Sequence, residues 1–139
     1  MSCYLDASVI VPLFLADALS ARASTLLRSA RVPLIISDWA GLEVSNVAAR
    51  QVRIGALTAE EAAATLANFD LWRARSASVA EISALDVSIA IRFVRRFELS
   101  LRGPDAVHLA IAQRLGATLW TFDARMAAAA TAVGLSAAP

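Results

Sequence analysis

Apolar residues occur along this chain in two patterns, as short continuous runs and as longer segments with helical spacing. Short runs bounded by turn residues are typical of buried strands, and helical spacing is typical of amphipathic helices. The strands predicted in this way cover residues 3–6, 33–39, 78–83 and 118–123. The predicted helices cover residues 8–18, 20–30, 40–52, 58–75, 85–98, 103–116 and 124–134. Because strands alternate with helices, we expect an α/β fold, a three-layer sandwich whose central, mostly parallel sheet is flanked by helices.

Residues that commonly begin and end helices support several of these boundaries. Thr58 and Glu61 have the spacing of a capping box, in which each residue satisfies a free amide of the first turn. Pro104 and Gly116 bracket another helix, with proline at its start and glycine at its end. Pro12 lies inside the first predicted helix and is expected to disturb it.

Composition limits the class of protein. With 139 residues, of which 58% are hydrophobic, the chain is expected to form one domain over residues 1–139 with a full core. No apolar run approaches the roughly 18 residues of a membrane span. No basic residue precedes the first apolar run, so a secretory signal is not expected. One cysteine excludes an internal disulfide, and we expect a cytoplasmic protein.

All 13 basic residues are arginine. A chain without lysine has no P-loop, no Schiff-base chemistry and no lysine-dependent phosphotransfer switch. Receiver and haloacid-dehalogenase domains also place an aspartate at the end of the first strand, but both depend on a lysine. The glycine-rich fingerprint of dinucleotide-binding folds is missing as well.

Four acidic residues lie where predicted strands end or predicted helices begin. Asp6 ends the first strand among apolar neighbours, where a carboxylate costs several kcal/mol unless a partner compensates it. Asp123 ends the strand at 118–123, whereas Glu43 and Asp105 fall near the starts of helices. Strand ends and the helix starts that follow them share one edge of a parallel sheet, where such folds bind ligands. We therefore expect the four carboxylates to converge.

Converging carboxylates repel one another unless a cation compensates them. Their hard oxygen atoms favour Mg²⁺, with Mn²⁺ as an alternative. One histidine and one cysteine are too few for an ordinary zinc site. A carboxylate cluster that holds one or two divalent ions suits phosphodiester cleavage by metal-activated water.

Three segments, and the Ala-rich helix that follows the last of them, resemble a known family. "YLDASVIV", "SDWAGLEVSNVAAR" and "LRGPDAVHLAIAQRLGATLWTFD" together resemble a PIN domain, and more closely the VapC toxins of bacterial toxin–antitoxin pairs. The resemblance extends over residues 3–134, and "LRGPDAVHLAIA" followed by "TFD" is its most specific part. The ending "GLSAAP" is less typical, so whether a last strand follows stays open.

The resemblance implies a Mg²⁺-dependent endoribonuclease with Asp6, Glu43, Asp105 and Asp123 as its acidic residues. Asp6 and Asp105 would be the principal metal ligands. Ser8 and Thr121 match positions where the family often has hydroxyl groups, and these would orient the carboxylates. The resemblance also implies a homodimer and a small antitoxin protein that covers the site. The alternative is a catalytically inactive PIN-like module that binds RNA or protein.

The charge balance is compatible with an RNA partner. Once four acids are assigned to the site, eight remain against 13 arginines, which leaves the rest of the surface at +5. Arg50 lies two helical turns after Glu43, where it could contact a phosphate or simply be solvated. The cluster Arg92, Arg95 and Arg96 is typical of a solvated helix face.

Four further residues are expected to lie outside the site and to pack in the core or at an interface: His108, Trp39, Trp72 and Trp120.

Overall fold

Five short parallel strands form the central sheet of the protein, whose computed structural model describes residues 1–139. The strands are β1 (Cys3–Leu5), β2 (Leu34–Ser37), β3 (Ser78–Ala80), β4 (Thr118–Trp120) and β5 (Ala137–Ala138). Their order across the sheet is β3-β2-β1-β4-β5, so β1 lies at the centre. Tyr4 of β1 is opposite Ile35 on one side and Leu119 on the other. Because every pair is parallel, the carboxyl ends of all five strands share one edge.

Seven α-helices flank this sheet. They are α1 (Ala7–Phe14), α2 (Ser20–Ser29), α3 (Asp38–Arg53), α4 (Ala59–Ser76), α5 (Ala84–Val94), α6 (Gly103–Leu115) and α7 (Ala124–Ala132), with a 3₁₀ turn at Phe97–Leu99. The three-layer α/β architecture predicted from the sequence is confirmed. None of these helices combines the length and the apolar character needed to cross a membrane.

Two hydrophobic cores lie on opposite faces of the sheet. Successive strand side chains point to opposite faces, so neighbouring residues of β1 belong to different cores. Tyr4 packs with residues of α5, α6 and α7, whereas Leu5 packs with residues of α1, α3 and α4. Both side chains are fully buried, and β1 is therefore fixed from both sides. This rigidity extends to the residue that follows it, Asp6.

A buried ion pair joins α5 to α6. Asp86 is completely buried, and its two carboxylate oxygens accept hydrogen bonds from Arg114 at 2.6 and 2.9 Å. Ser83, the N-cap of α5, also donates to this carboxylate through its amide and its hydroxyl. Burial alone would raise the pKa of Asp86, but the hydrogen bonds from Arg114 and Ser83 outweigh it and hold that pKa below its ordinary value. The pair fixes α6, the helix that carries Asp105.

The element boundaries differ from the predicted ones where capping residues end the strands early. The strand predicted over 33–39 ends at Ser37, because the Ser37 hydroxyl accepts the amide hydrogen of Ala40 and caps α3. Glu43 consequently lies in the second turn of α3 rather than the first.

Two helices also differ in part from the prediction, which left the last strand open. The helix predicted over 85–98 ends at Val94. Pro12 lies inside α1 without ending it, and the open question about a last strand is answered by β5, which pairs with β4.

Candidate metal-binding and catalytic site

The four predicted acidic residues come from elements that meet at the carboxyl edge of the sheet. Asp6 directly follows β1, and Asp123 follows the neighbouring strand β4. Glu43 lies on α3, the helix that follows β2, on the other side of β1. Asp105 lies in the first turn of α6. The negative charges of Asp123 and Glu43 both act on Asp105, so the structure brings these three carboxylates into one electrostatic environment.

Asp6 is held by hydrogen bonds rather than by a basic residue. It is only 2% exposed and caps α1. Its Oδ1 accepts from the Ser8 hydroxyl at 2.7 Å and from the Val9 amide at 3.3 Å. Its Oδ2 accepts from the Thr121 hydroxyl at 2.8 Å. Ser8 and Thr121, which the sequence suggested as orienting side chains, both donate to this carboxylate.

These hydrogen bonds do not fully compensate the loss of water. Burial raises the pKa of the Asp6 carboxyl, and the Ser8 and Thr121 hydroxyls, the Val9 amide and the nearby His108 offset only part of that increase. Asp6 forms no salt bridge with any arginine. A buried carboxylate in this state is stabilised by a cation.

Thr121 connects the first and the last acidic residue. Its hydroxyl donates to Asp6 and accepts the amide hydrogen of Asp123 at 3.0 Å. Asp123 caps α7, because its Oδ1 accepts from the amides of Arg125 and Met126 at 2.8 and 3.1 Å. Its Oδ2 has no protein donor and is free for another partner. Asp123 can therefore cap α7 through Oδ1 and still offer Oδ2 to the site.

Asp105 has the least compensated carboxylate of the four. No protein group donates a hydrogen bond to it and no arginine forms a salt bridge with it. Burial raises its pKa, and the negative charges of Asp123 and Glu43 raise it further, more than His108 and Arg102 lower it.

Glu43 is bound to His108, a residue that sequence analysis placed outside the site. Its Oε2 lies 2.5 Å from His108 Nε2, and His108 Nδ1 lies 2.7 Å from the Tyr4 hydroxyl. That hydroxyl is in turn 2.7 Å from Ser37 Oγ. His108 is buried, as expected, but its ring faces the acidic edge. The signal was its spacing, one helical turn after Asp105 on the same face of α6.

A cleft beside Asp105 and Asp123 is lined by two arginines. Arg102 and Arg125, both exposed, share this cleft with the two carboxylates, Ser100 and Pro104. Arg50, which the sequence offered as a possible phosphate contact, does not line this cleft. The position of Arg102 three residues before Asp105, and of Arg125 two residues after Asp123, could have indicated them.

The donor set fits a hard divalent cation. No three acidic, histidine or cysteine side chains are close enough together here to enclose an ion. The chemistry of the donors is nevertheless that of such a site, because carboxylate oxygens without a basic partner are the ligands that Mg²⁺ and Mn²⁺ prefer. Asp6 is already oriented by its hydroxyl partners, whereas Asp105 and Asp123 each keep free oxygens.

The parallel sandwich and its acidic edge define an α/β protein of the kind that binds ligands at the carboxyl ends of its strands. The family model of the PIN domain matches residues 3–132. The chain belongs to the PIN domain family, which confirms the resemblance noted in the sequence. No curated protein matches the sequence.

Solved structures share the fold along nearly the whole chain. VapC20 of Mycobacterium tuberculosis, described as a sarcin-ricin loop cleaving toxin, is 20% identical with a TM-score of 0.72, over 96% of this chain and 95% of that one. FitAcB from Neisseria gonorrhoeae is 15% identical with a TM-score of 0.70, over 99% and 96%. VapBC-1 from nontypeable Haemophilus influenzae is 17% identical with a TM-score of 0.66, over 99% and 97%. Because the sequence identities are low, the similarity to these structures establishes the shared fold alone.

Proposed function

We propose that this protein is a Mg²⁺-dependent endoribonuclease, with Mn²⁺ as an alternative ion, and that it acts as the toxin of a toxin–antitoxin pair. The observation that carries the proposal is the group of acidic residues at the carboxyl edge of the sheet, none of which forms a salt bridge with an arginine. In two of them, Asp6 and Asp105, the structure raises the pKa of the carboxyl. Membership of the PIN family and the likeness to VapC and VapBC proteins support the same reading.

Each acidic residue has a role that follows from its contacts. Asp6 and Asp105 would be the main metal ligands, the first because it is fixed by two hydroxyls and the second because its oxygens are free. Glu43 would bind the ion directly or through water. Asp123 would use its free Oδ2 to bind a second ion or to orient water. The bound ion would supply Lewis-acid stabilisation of the phosphodiester and a more acidic water.

Arg102 and Arg125 are the residues that we assign to binding of the RNA backbone. Both are exposed, neither forms a salt bridge, and both line the cleft that contains Asp105 and Asp123. Guanidinium groups bind phosphate oxygens through paired hydrogen bonds. In this cleft they would hold the phosphates on either side of the scissile bond next to the carboxylates.

The wild-type protein is expected to cleave RNA in MgCl₂ or MnCl₂, and Arg102→Ala and Arg125→Ala should each weaken RNA binding. The dependence of log K on log salt should lose about one unit of slope for each arginine removed. Binding is measured in CaCl₂, which is expected to allow binding without cleavage. Arg28→Ala, an exposed arginine on α2, is the matched control. Wild-type protein that cleaves no RNA contradicts the function, whereas arginine variants that behave like Arg28→Ala contradict only the assignment of the two residues.

The antitoxin is the second proposed partner. An apolar groove between α1 and α3 is lined by Val11, Leu15, Val47, Ala56 and Leu57 among others. Val47 follows Glu43 by one helical turn, so the groove and the acidic edge share a face of α3. We place apolar side chains of the antitoxin in this groove, with a basic residue, an arginine, against the carboxylates. The solved VapBC and FitAB assemblies are the precedent for such a complex.

Val47→Asp is expected to weaken antitoxin binding at least about tenfold while the free variant still cleaves RNA, because a charge in the groove opposes burial of apolar side chains. The binding partner in the measurement is the short protein encoded beside this gene. Leu71→Asp is the control, since Leu71 is 55% exposed on α4 and does not line the groove. Absence of such a neighbouring reading frame would argue against the toxin role, and unchanged affinity of Val47→Asp would exclude the groove.

Homodimerisation stays a prediction. A second exposed apolar surface is available for it on α5, where Leu85, Val87 and Ile91 are each about half exposed. Val87 and Ile91 also line a groove against Trp39 and Pro104. A twofold pairing of this helix would bury the same residues on both subunits.

A further inference from the structure

We propose that His108 positions Glu43 for metal binding, as the end of a buried chain of hydrogen bonds that begins at Ser37. The inference rests on the proposed function, since it concerns the same acidic site. It assigns to His108, Tyr4 and Ser37 a role in orienting a ligand without touching the metal or the substrate.

The chain connects four secondary-structure elements. Ser37 Oγ, at the end of β2, lies 2.7 Å from the hydroxyl of Tyr4 on β1. The Tyr4 hydroxyl lies 2.7 Å from Nδ1 of His108 on α6, and Nε2 of His108 lies 2.5 Å from Glu43 Oε2 on α3. Ser37 and Tyr4 are completely buried and His108 is 1% exposed, so water does not compete for the contacts among these three residues. Glu43 is the only member that reaches solvent.

One direction of donation is consistent along the whole series of hydrogen bonds from Ser37 to Glu43. When His108 carries a single ring hydrogen, Nε2 donates it to Glu43, because a carboxylate only accepts. Nδ1 then accepts from the Tyr4 hydroxyl, and the Tyr4 oxygen accepts from Ser37. Ser37 Oγ keeps a lone pair for the amide hydrogen of Ala40, which it accepts at 3.0 Å. Every polar atom of this series of hydrogen bonds has a partner, which fixes the ring orientation of His108.

Glu43 gains orientation from this contact. A glutamate on a helix has three side-chain torsions, and one that reaches solvent samples several rotamers when nothing binds it. Binding of Oε2 by His108 selects one of them and leaves Oε1 unbound. Because His108 and Asp105 lie one turn apart on α6, the same helix sets the position of both acidic side chains. Residues that orient a metal ligand in this way commonly contribute about 10-fold to 100-fold in metal affinity.

A role in packing alone predicts a different outcome. The His108 ring lies 5.7 Å from the Tyr4 ring at an angle of 47°, so it also fills space in the core. Leucine has a similar volume and would preserve that packing, and the Tyr4 oxygen could still accept from Ser37. Glutamine carries an amide nitrogen at roughly the position of Nε2 and would preserve the contact with Glu43. The two substitutions therefore separate packing from positioning.

The test is calorimetric titration of Mn²⁺ into the wild type, His108→Leu and His108→Gln, each first checked by a thermal melt in EDTA. His108→Leu should bind Mn²⁺ about tenfold more weakly than the wild type, and His108→Gln should recover most of that loss. In a Glu43→Gln background, His108→Leu should have little further effect, because the contact it removes is already altered. Should His108→Leu not fold, Tyr4→Phe replaces it and should give a smaller loss in the same direction.

Equal Mn²⁺ affinity of the wild type and His108→Leu would overturn the inference and leave the metal site intact. Losses that add fully in the double variant would also overturn it, since His108 would then act by another route than Glu43. A wild type that binds no Mn²⁺ would instead overturn the proposed function, and the positioning role with it.

Discussion

Asp6→Asn and Asp105→Asn are each expected to reduce RNA cleavage on the order of 10³-fold or more, because each removes a charge from a proposed metal ligand. The structure separates the two variants by stability. Asp6 accepts from two hydroxyls, Ser8 and Thr121, whose own acceptor positions are used by the amides of Phe122 and Asp123. An asparagine amide would face one of these donors, so Asp6→Asn should also cost about 1 kcal/mol of folding free energy.

Asp105→Asn should lose activity without any such cost, because no protein donor binds its carboxylate. The measurement is cleavage of a labelled RNA in MgCl₂ and in EDTA, together with thermal melts of each variant. Glu60→Gln, an exposed acid in the first turn of α4, is the control and should cleave as the wild type does. Retained cleavage in both aspartate variants would contradict the metal-site proposal.

Mg²⁺ is expected to stabilise the wild type by about 2.7 kcal/mol at a concentration one hundred times its dissociation constant. Asp105→Asn should gain much less from Mg²⁺. In EDTA at pH 7.5 the same variant should melt at or above the wild-type temperature, because it lacks the repulsion that Asp123 and Glu43 exert on Asp105.

The pH dependence of stability in EDTA shows the direction in which Asp105→Asn should differ from the wild type. Burial and the neighbouring charges raise the pKa of Asp105 in the folded protein above its unfolded value of about 4. Its protonated form therefore stabilises the fold at low pH, and that contribution is lost as pH rises through the folded pKa. The difference between Asp105→Asn and the wild type should accordingly grow from pH 4 upward.

Asp86 has the opposite pH dependence. Its pKa is lowered in the folded protein, so its contribution to the stability of the fold is lost as pH falls through that folded pKa. Both proteins contain Asp86, so its effect cancels in the comparison.

If Asp105→Asn were less stable than the wild type in EDTA and still responded fully to Mg²⁺, Asp105 would be a structural residue and not a metal ligand.

The fold class and the placement of the acidic residues at one edge of the sheet were predictable from the sequence, because both depend on local patterns. Alternating strands and helices predict a parallel sheet, and acids at strand ends and helix starts predict one edge where they meet. Asp6 was identifiable because a carboxylate among apolar residues calls for a partner. The element ends were less predictable: Ser37 ends β2 and caps the helix that follows, and β3 ends at Ala80, three residues before the N-cap Ser83.

Only the tertiary structure decided how the acidic residues are held. The partners of Asp6 come from positions 8 and 121, and Glu43 is bound by a histidine 65 residues away. His108 by itself has the pattern of a packing residue, and nothing in its sequence neighbourhood points to Tyr4 or Ser37. Hydrogen bonds between distant residues depend on the order and register of β1, β2 and β4 and on the position of α6 against the sheet. Those are set by the packing of the whole core, which no local pattern in the chain encodes.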